Sequence, residues 1–345
     1  MARAIDFGEA VHSQPEGLSL ASRSITTALR HHELPQWNSG ETVAFVSMGA
    51  SSFSAHAAVT ALTAAGIRAV NLTASDLAES AAGFQPGDHY VIVSESGRSP
   101  EPIAAARRLT SGRRIAITNF PDAAISDVAD FIVPLGGFVD SRVYTIGYTA
   151  TLLAYSLLFS SVGVAAQGEM GDVPDLVRQS LAGFSRVASD VAAALEGYGA
   201  VDFVGHGFSF ASAAEGALLF REALRIHTAA FETHQYLHGP MEALGRGSAL
   251  VVFGDGREVG LARQAAEAGV STVLVTATAD PSSLGHHENV TVVPLPAGIG
   301  GFPRAIVEMV LVQSVALARS ELTGIPVGEF LFHQDDTKLE ETVVG

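Results

Sequence analysis

The chain has 345 residues, 48% hydrophobic and 16% charged, with a formal net charge of −16 and no cysteine. That supports two packed lobes and excludes disulfides, thiolate metal sites and cysteine nucleophiles. The acidic balance argues against a nucleic-acid face or an anionic membrane surface, and the N-terminus has no signal-peptide core, so a cytoplasmic protein is expected.

Residues 8–32 read as one amphipathic helix running to about Arg30, with Pro15 in its first turn. A polar linker follows over 33–40. An apolar run at 42–48 leads into Gly49-Ala50-Ser51-Ser52 and an Ala-rich helix over 53–66. Strand, Gly-Ser turn, helix is the opening unit of an open parallel sheet. Further strands are predicted at 69–72, 89–93, 114–118 and 131–134, with a helix over 100–110. Residues 143–166 are nearly uncharged and long enough to span a bilayer. With Gly147 and several Thr, Ser and Tyr they read instead as a buried core helix.

A Gly/Asp/Pro linker over 167–175 opens a second lobe with the same logic. Strands are predicted at 200–205, 248–253, 272–276 and 290–293, and helices at 210–227, 257–268 and 303–321. The expected class is α/β: doubly wound parallel sheets flanked by helices, duplicated in fold and not in sequence. The expected division is an N-terminal helical segment at 1–40, a first lobe at 41–170, a second at 171–325 and a polar tail at 326–345.

The most informative stretch is Ser94-Glu95-Ser96-Gly97-Arg98-Ser99-Pro100, between an apolar strand and a helix. Ser99 is a good N-cap and Pro100 fits the first helical position. Ser94, Ser96, Ser99 and the amides around Gly97 can all address one anion at a helix N-terminus. In doubly wound sheets, ligands sit beyond the C-terminal strand ends, where Ser51 and Ser52 also fall. The second lobe's nearest counterpart, Gly254-Asp255-Gly256, carries a carboxylate that would repel phosphate. A single phosphate site in the first lobe is therefore expected.

A second cluster holds Glu215 and Glu222, two turns apart on one helix face, then His227 and His238-Gly239-Pro240. From spacing alone Glu222 reads first as a salt-bridge partner of Arg221 or Arg225, and His238 reads equally as a turn residue that donates to backbone. His227, His234 and His238 lack the His-Glu-x-x-His spacing, and no metal site is assigned. Ser94-Glu95-Ser96-Gly97 lacks the first glycine of a nucleophile elbow.

The turn at 93–101, with Glu215-Gly216-Ala217-Leu218, Glu222, Ile226-His227 and His238-Gly239-Pro240, resembles sugar isomerase (SIS) domains. Gln14-Pro15-Glu16, Asp335-Asp336 and Thr342-Val343-Val344 extend the likeness to a double-SIS protein similar to the isomerase half of glucosamine-6-phosphate synthases, without a glutaminase half. The resemblance implies that Ser94, Glu95 (main chain), Ser96 and Ser99 hold a sugar phosphate and that Ser51 and Ser52 touch sugar hydroxyls. Glu222 would move a proton between C1 and C2. His238, in the family often supplied by the neighbouring subunit, would assist ring opening in a homodimer. No metal or organic cofactor is implied.

Three family lysines are missing. Leu219 stands at one, Tyr144-Thr145-Ile146-Gly147 covers another, and the tail lysine aligns with Glu341, three residues after Lys338, the only lysine in the chain. Lys338 is the candidate replacement. These departures point away from glucosamine-6-phosphate synthesis. They favour a phosphosugar isomerase or amino-sugar-phosphate deaminase, with a fructosamine-6-phosphate deglycase or a non-catalytic phosphosugar sensor as alternatives.

Overall fold

A computed structural model of the chain describes residues 4–109, 113–165, 171–278, 284–285, 287–332, 334 and 336–339. The N-terminal segment forms two helices, α1 (Phe7–His12) and α2 (Gln14–Arg30), where sequence periodicity suggests one. The break falls at Ser13, whose N–H bonds Glu9 and whose backbone opens α2 just ahead of Pro15, which has no N–H to continue a helical ladder. Gln14 is fully buried and its Oε1 accepts a 3.0 Å bond from Thr149 Oγ1, which ties this entry to the core.

The first lobe then runs β1 (Thr42–Ser47), α3 (Gly49–Ala64), β2 (Arg68–Thr73), α4 (Ala74–Ala78), β3 (His89–Val93), α5 (Pro100–Arg108), β4 (Arg114–Thr118), β5 (Phe131–Pro134) and α6 (Ile146–Ser161). All its strand pairs are parallel, in the order β2-β1-β3-β4-β5. β1 and β3 are buried almost throughout, as expected for strands covered by helices on both faces. Nearly every side chain of α6 is buried, so its apolar composition belongs to the core.

A long helix, α7 (Val173–Ala194), precedes the second sheet. It starts inside the stretch that composition marks as linker: Asp172 caps it by accepting from Asp175 N at 3.0 Å, and Pro174 lies in its first turn. Then come β6 (Ala200–Gly205), α8 (Phe208–Leu224), β7 (His227–Glu232), α9 (Thr233–Leu237), β8 (Ser248–Phe253), α10 (Arg257–Glu267), β9 (Ser271–Thr276), β10 (Val290–Pro294) and α11 (Gly301–Thr323).

The second sheet is also parallel and ordered β10-β9-β8-β6-β7, the same topology as the first. The sequence pattern carries α8 on to residue 227. The helix instead ends at Leu224 because Arg225 takes left-handed backbone (φ 58), and the chain turns into the edge strand β7. α11 is long and apolar enough to cross a bilayer, but it is packed against α7 and α8 and mostly buried. One hydrophobic cluster joins the lobes; Phe302 of α11 contacts Tyr155 and Phe159 of α6 and Phe208 of α8.

Candidate functional site

In the first sheet, β2 and β3 flank β1 on opposite sides, so the strand order reverses between β1 and β3. In open parallel sheets the crevice beyond the strand ends at such a reversal is where ligands are held. The turn after β1 gives Ser51 and Ser52, half-buried in the first turn of α3; Ser52 is anchored by Asn71 Nδ2, which donates to its carbonyl at 2.8 Å. The turn after β3 gives Ser94–Ser99 and leads into α5.

Gly97 is required in that turn. Its φ is +63°, and an added Cβ would sit 2.7 Å from Ala123 Cβ and 2.9 Å from Thr118 Oγ1. Ser99 holds the N-cap position without capping through its hydroxyl. Instead Ser99 Oγ accepts from Ser94 Oγ at 3.3 Å and from Lys338 Nζ at 3.0 Å. Its own proton is thereby free to be donated.

The tail reaches the turn by a defined path. Arg225, just after α8, donates to Glu329 O at 2.8 Å, and Leu339 N donates to Arg98 O at 2.9 Å. The lone lysine is thus brought onto the serine turn, at Ser99. Glu341, Asp335 and Thr342-Val343-Val344 lie outside the described residues.

Beneath the turn lies a pair of buried carboxyls absent from the sequence reading. The Glu95 side chain points inward, and its Oε2 has no hydrogen-bond partner. Burial, then the nearby Asp140, pushes the Glu95 carboxyl up to about 7. Asp140 is also raised by burial, although backbone N–H groups of Ser141, Thr145 and Gly147 bond it. Glu95 fills the space a side chain at Gly147 would need: a Cβ there would meet Glu95 Cγ at 2.9 Å.

α8 brings the second lobe to the same crevice. His56 of α3 packs edge-on against Phe210 of α8, with ring centroids 4.7 Å apart, and a Cβ added at Gly207 would lie 3.6 Å from Thr60 Cγ2. The two helices are therefore antiparallel, and the C-terminal end of α8 points toward the N-terminal end of α3. Glu222, in that last turn, lies on the side of the Ser51–Ser52 turn and the tail. Its carboxyl pKa is raised by burial. Arg221 and Arg225 are engaged elsewhere, with Thr228 O and Glu329 O, which removes the simple salt-bridge explanation of Glu222. Glu215 is buried, its pKa well above the carboxylate range through burial and then Glu222, and its Oε2 has no partner. Leu219, 1% exposed, is in the core.

His238 is elsewhere in the chain. It is exposed and caps the C-terminus of α9, beyond the end of β7, whereas Glu222 lies before the start of that strand. The six residues of β7 separate the two ends by about 17 Å at ~3.3 Å per residue. His227 is exposed at the strand's start, so His227, His234 and His238 do not converge.

At the second sheet's switch point the position matching the serine turn is filled from within. Asp255 bonds Arg304, Thr276 Oγ1 at 2.8 Å and Ala277 N at 2.7 Å. Burial works to raise its pKa, but these partners, led by Arg304, hold it below the usual carboxylate range. Arg304 also bonds the fully buried Glu308 at 2.7 Å.

No protein-family model matches the chain. The glutamine–fructose-6-phosphate aminotransferase of Aeropyrum pernix is 29% identical over 168 residues, 44% of this chain and 27% of that relative. The chain thus matches little more than a quarter of that relative's length. Among solved structures, the C-terminal domain of glucosamine-fructose-6-phosphate aminotransferase from Francisella tularensis superposes with a TM-score of 0.78 at 16% identity, covering 94% of this chain and 97% of that one. Glucosamine-6-phosphate deaminase from Thermotoga maritima superposes with a TM-score of 0.71 at 18% identity, covering 96% and 99%.

Proposed function

We propose that this chain, which resembles the isomerase part of glutamine–fructose-6-phosphate aminotransferases and has the double-SIS fold, is a phosphosugar isomerase or amino-sugar-phosphate deaminase acting on a hexose or hexosamine 6-phosphate. The observation that supports this reading is the Ser94–Ser99 turn at the sheet's switch point, with Lys338 on Ser99, together with the packing of α8 along α3, which points the Glu222 end of α8 toward the Ser51–Ser52 turn. A phosphate in the turn takes hydroxyl donors from Ser94, Ser96 and Ser99 and a countercharge from Lys338. In this reading Lys338 serves the phosphate and leaves ring opening to another group.

The sugar extends from the turn past Ser51 and Ser52 toward Glu222. Glu222 removes the proton from one of C1 and C2 and returns it to the other through an enediol or enolamine. Its raised pKa suits a carboxyl that must accept and then release a proton near neutrality. His238 is remote from Glu222 of its own chain, which supports a homodimer whose sites each use the partner subunit's His238.

The test is a thermal-shift panel of fructose, glucose and glucosamine 6-phosphates, followed by assays for isomerisation and for released ammonia. At least one sugar phosphate is expected to raise Tm and to be turned over. Glu222→Gln is expected to keep the shift and lose turnover by at least ~1,000-fold. Ammonia release selects the deaminase; failure of every sugar phosphate to shift Tm overturns the reading.

A further inference from the structure

The ends of β6 and β7 in the second sheet bring together three side chains that the proposed chemistry does not use. β6 and β7 pair with Gly205 opposite Glu232, so the residue after β6, His206, stands beside the last residue of β7. His234 follows in the first turn of α9. The Nδ1 atoms of His206 and His234 converge on a single oxygen, Glu232 Oε1, at 2.7 and 3.0 Å, with the rings 5.1 Å apart and nearly perpendicular. The other oxygen, Oε2, accepts from Gln235 N at 2.9 Å, which fixes the plane of the carboxylate.

The backbone is shaped to bring His206 there. Gly207 has φ +59°, and a Cβ on Gly205 would lie 2.5 Å from Ser209 O, so neither neighbour of His206 tolerates a side chain. Both imidazoles are more than 60% exposed, so packing does not account for their convergence.

We propose that His206 Nδ1, Glu232 Oε1 and His234 Nδ1 form a divalent transition-metal site of the zinc type, with its remaining coordination positions facing solvent. Two imidazoles and one carboxylate are a donor set such ions favour. Ligands about 2.0–2.1 Å from one Zn²⁺ stand ~3.0–3.4 Å apart, and the three ligand atoms here all lie within 4.8 Å of one another. The Gln235 N–H is an outer-shell partner that holds the carboxylate in place. Binding ties β6, β7 and α9 together, and α9 is the helix that Glu232 caps at one end and His238 at the other. Metal occupancy therefore fixes the element that carries His238.

The experiment is calorimetric titration of EDTA-dialysed, full-length protein with Zn²⁺ alone at pH 7.5. One ion per chain is expected, with Kd below ~10 µM. His206→Ala/His234→Ala is expected to abolish this binding and Glu232→Gln, which keeps an acceptor for Gln235 N–H, to weaken it ~10–100-fold. His31→Ala/His32→Ala, the control for adventitious histidine binding, leaves it unchanged. Apo-protein melting curves of each variant report folding. Absence of stoichiometric binding, or binding that survives in folded Glu232→Gln and in the His206/His234 double variant, overturns the proposal.

Discussion

Glu95 shows how one residue can carry two readings. Its main chain belongs to the serine turn, which local sequence makes legible. Its side chain turns under that turn, beside Asp140 and against Gly147, and only the packing of distant segments makes this visible. An ionised carboxylate there would oppose a bound phosphate; a protonated one does not. The folded protein holds the Glu95 proton up to about 7, whereas the unfolded chain releases it near the usual glutamate value of 4.5. Between those values the native state binds more protons than the unfolded state, so stability falls as pH rises through that window and levels off above it. Glu95→Gln is expected to flatten the dependence of Tm on pH between 5 and 8. At pH 8 it should be the more stable protein, by up to about 3 kcal/mol in denaturant melts. A parallel pH dependence in wild type and variant would show that Glu95 does not carry this proton.

The elements explain why the turn has its shape. β3 delivers the chain to the sheet's switch point, Gly97 turns it back, and Pro100 starts α5. Gly97→Ala puts a Cβ into Ala123 and Thr118 in a left-handed conformation. It is expected to cost about 1–3 kcal/mol of stability in urea melts and, if the turn holds a sugar phosphate as proposed, to weaken that binding as well. Stability unchanged by that substitution would mean the turn is not constrained as described. The strands of the first lobe were legible because each contains a short apolar run bounded by turn residues, and β1, β3 and β4 are buried almost throughout. β7 was not: it is an edge strand with one buried residue, its apolar content is small, and it directly follows a helix whose end is set by a left-handed arginine. α7 was obscured because its N-terminus lies in a Gly/Asp/Pro-rich stretch that composition alone reads as linker.

At the scale of the molecule, two sheets of identical strand order are joined by one hydrophobic cluster, and the antiparallel packing of α3 against α8 directs Glu222 to the first lobe's crevice. His238 is left at the far end of β7. If each site combines Glu222 of one subunit with His238 of the other, Glu222→Gln and His238→Ala are each inactive alone. Co-expressed, they regain about a quarter of wild-type turnover, since half the dimers are mixed and each mixed dimer has one intact site. No recovery in verified heterodimers would place both groups, or neither, in a single subunit's site.

The sequence by itself determined the α/β class, most of the strands and the serine turn, because these depend on residues adjacent in the chain: apolar runs, Gly and Pro punctuation, hydroxyls before a helix. It also marked Glu222 and His238 through spacing that resembles SIS proteins. Only the tertiary structure decided what meets what. It brought Lys338 onto Ser99, set Glu95 beside Asp140, filled the second lobe's turn with Asp255 and Arg304, and gathered His206, Glu232 and His234 at one corner. Each of these depends on strand order and helix packing between segments separated in the chain, which no local pattern encodes.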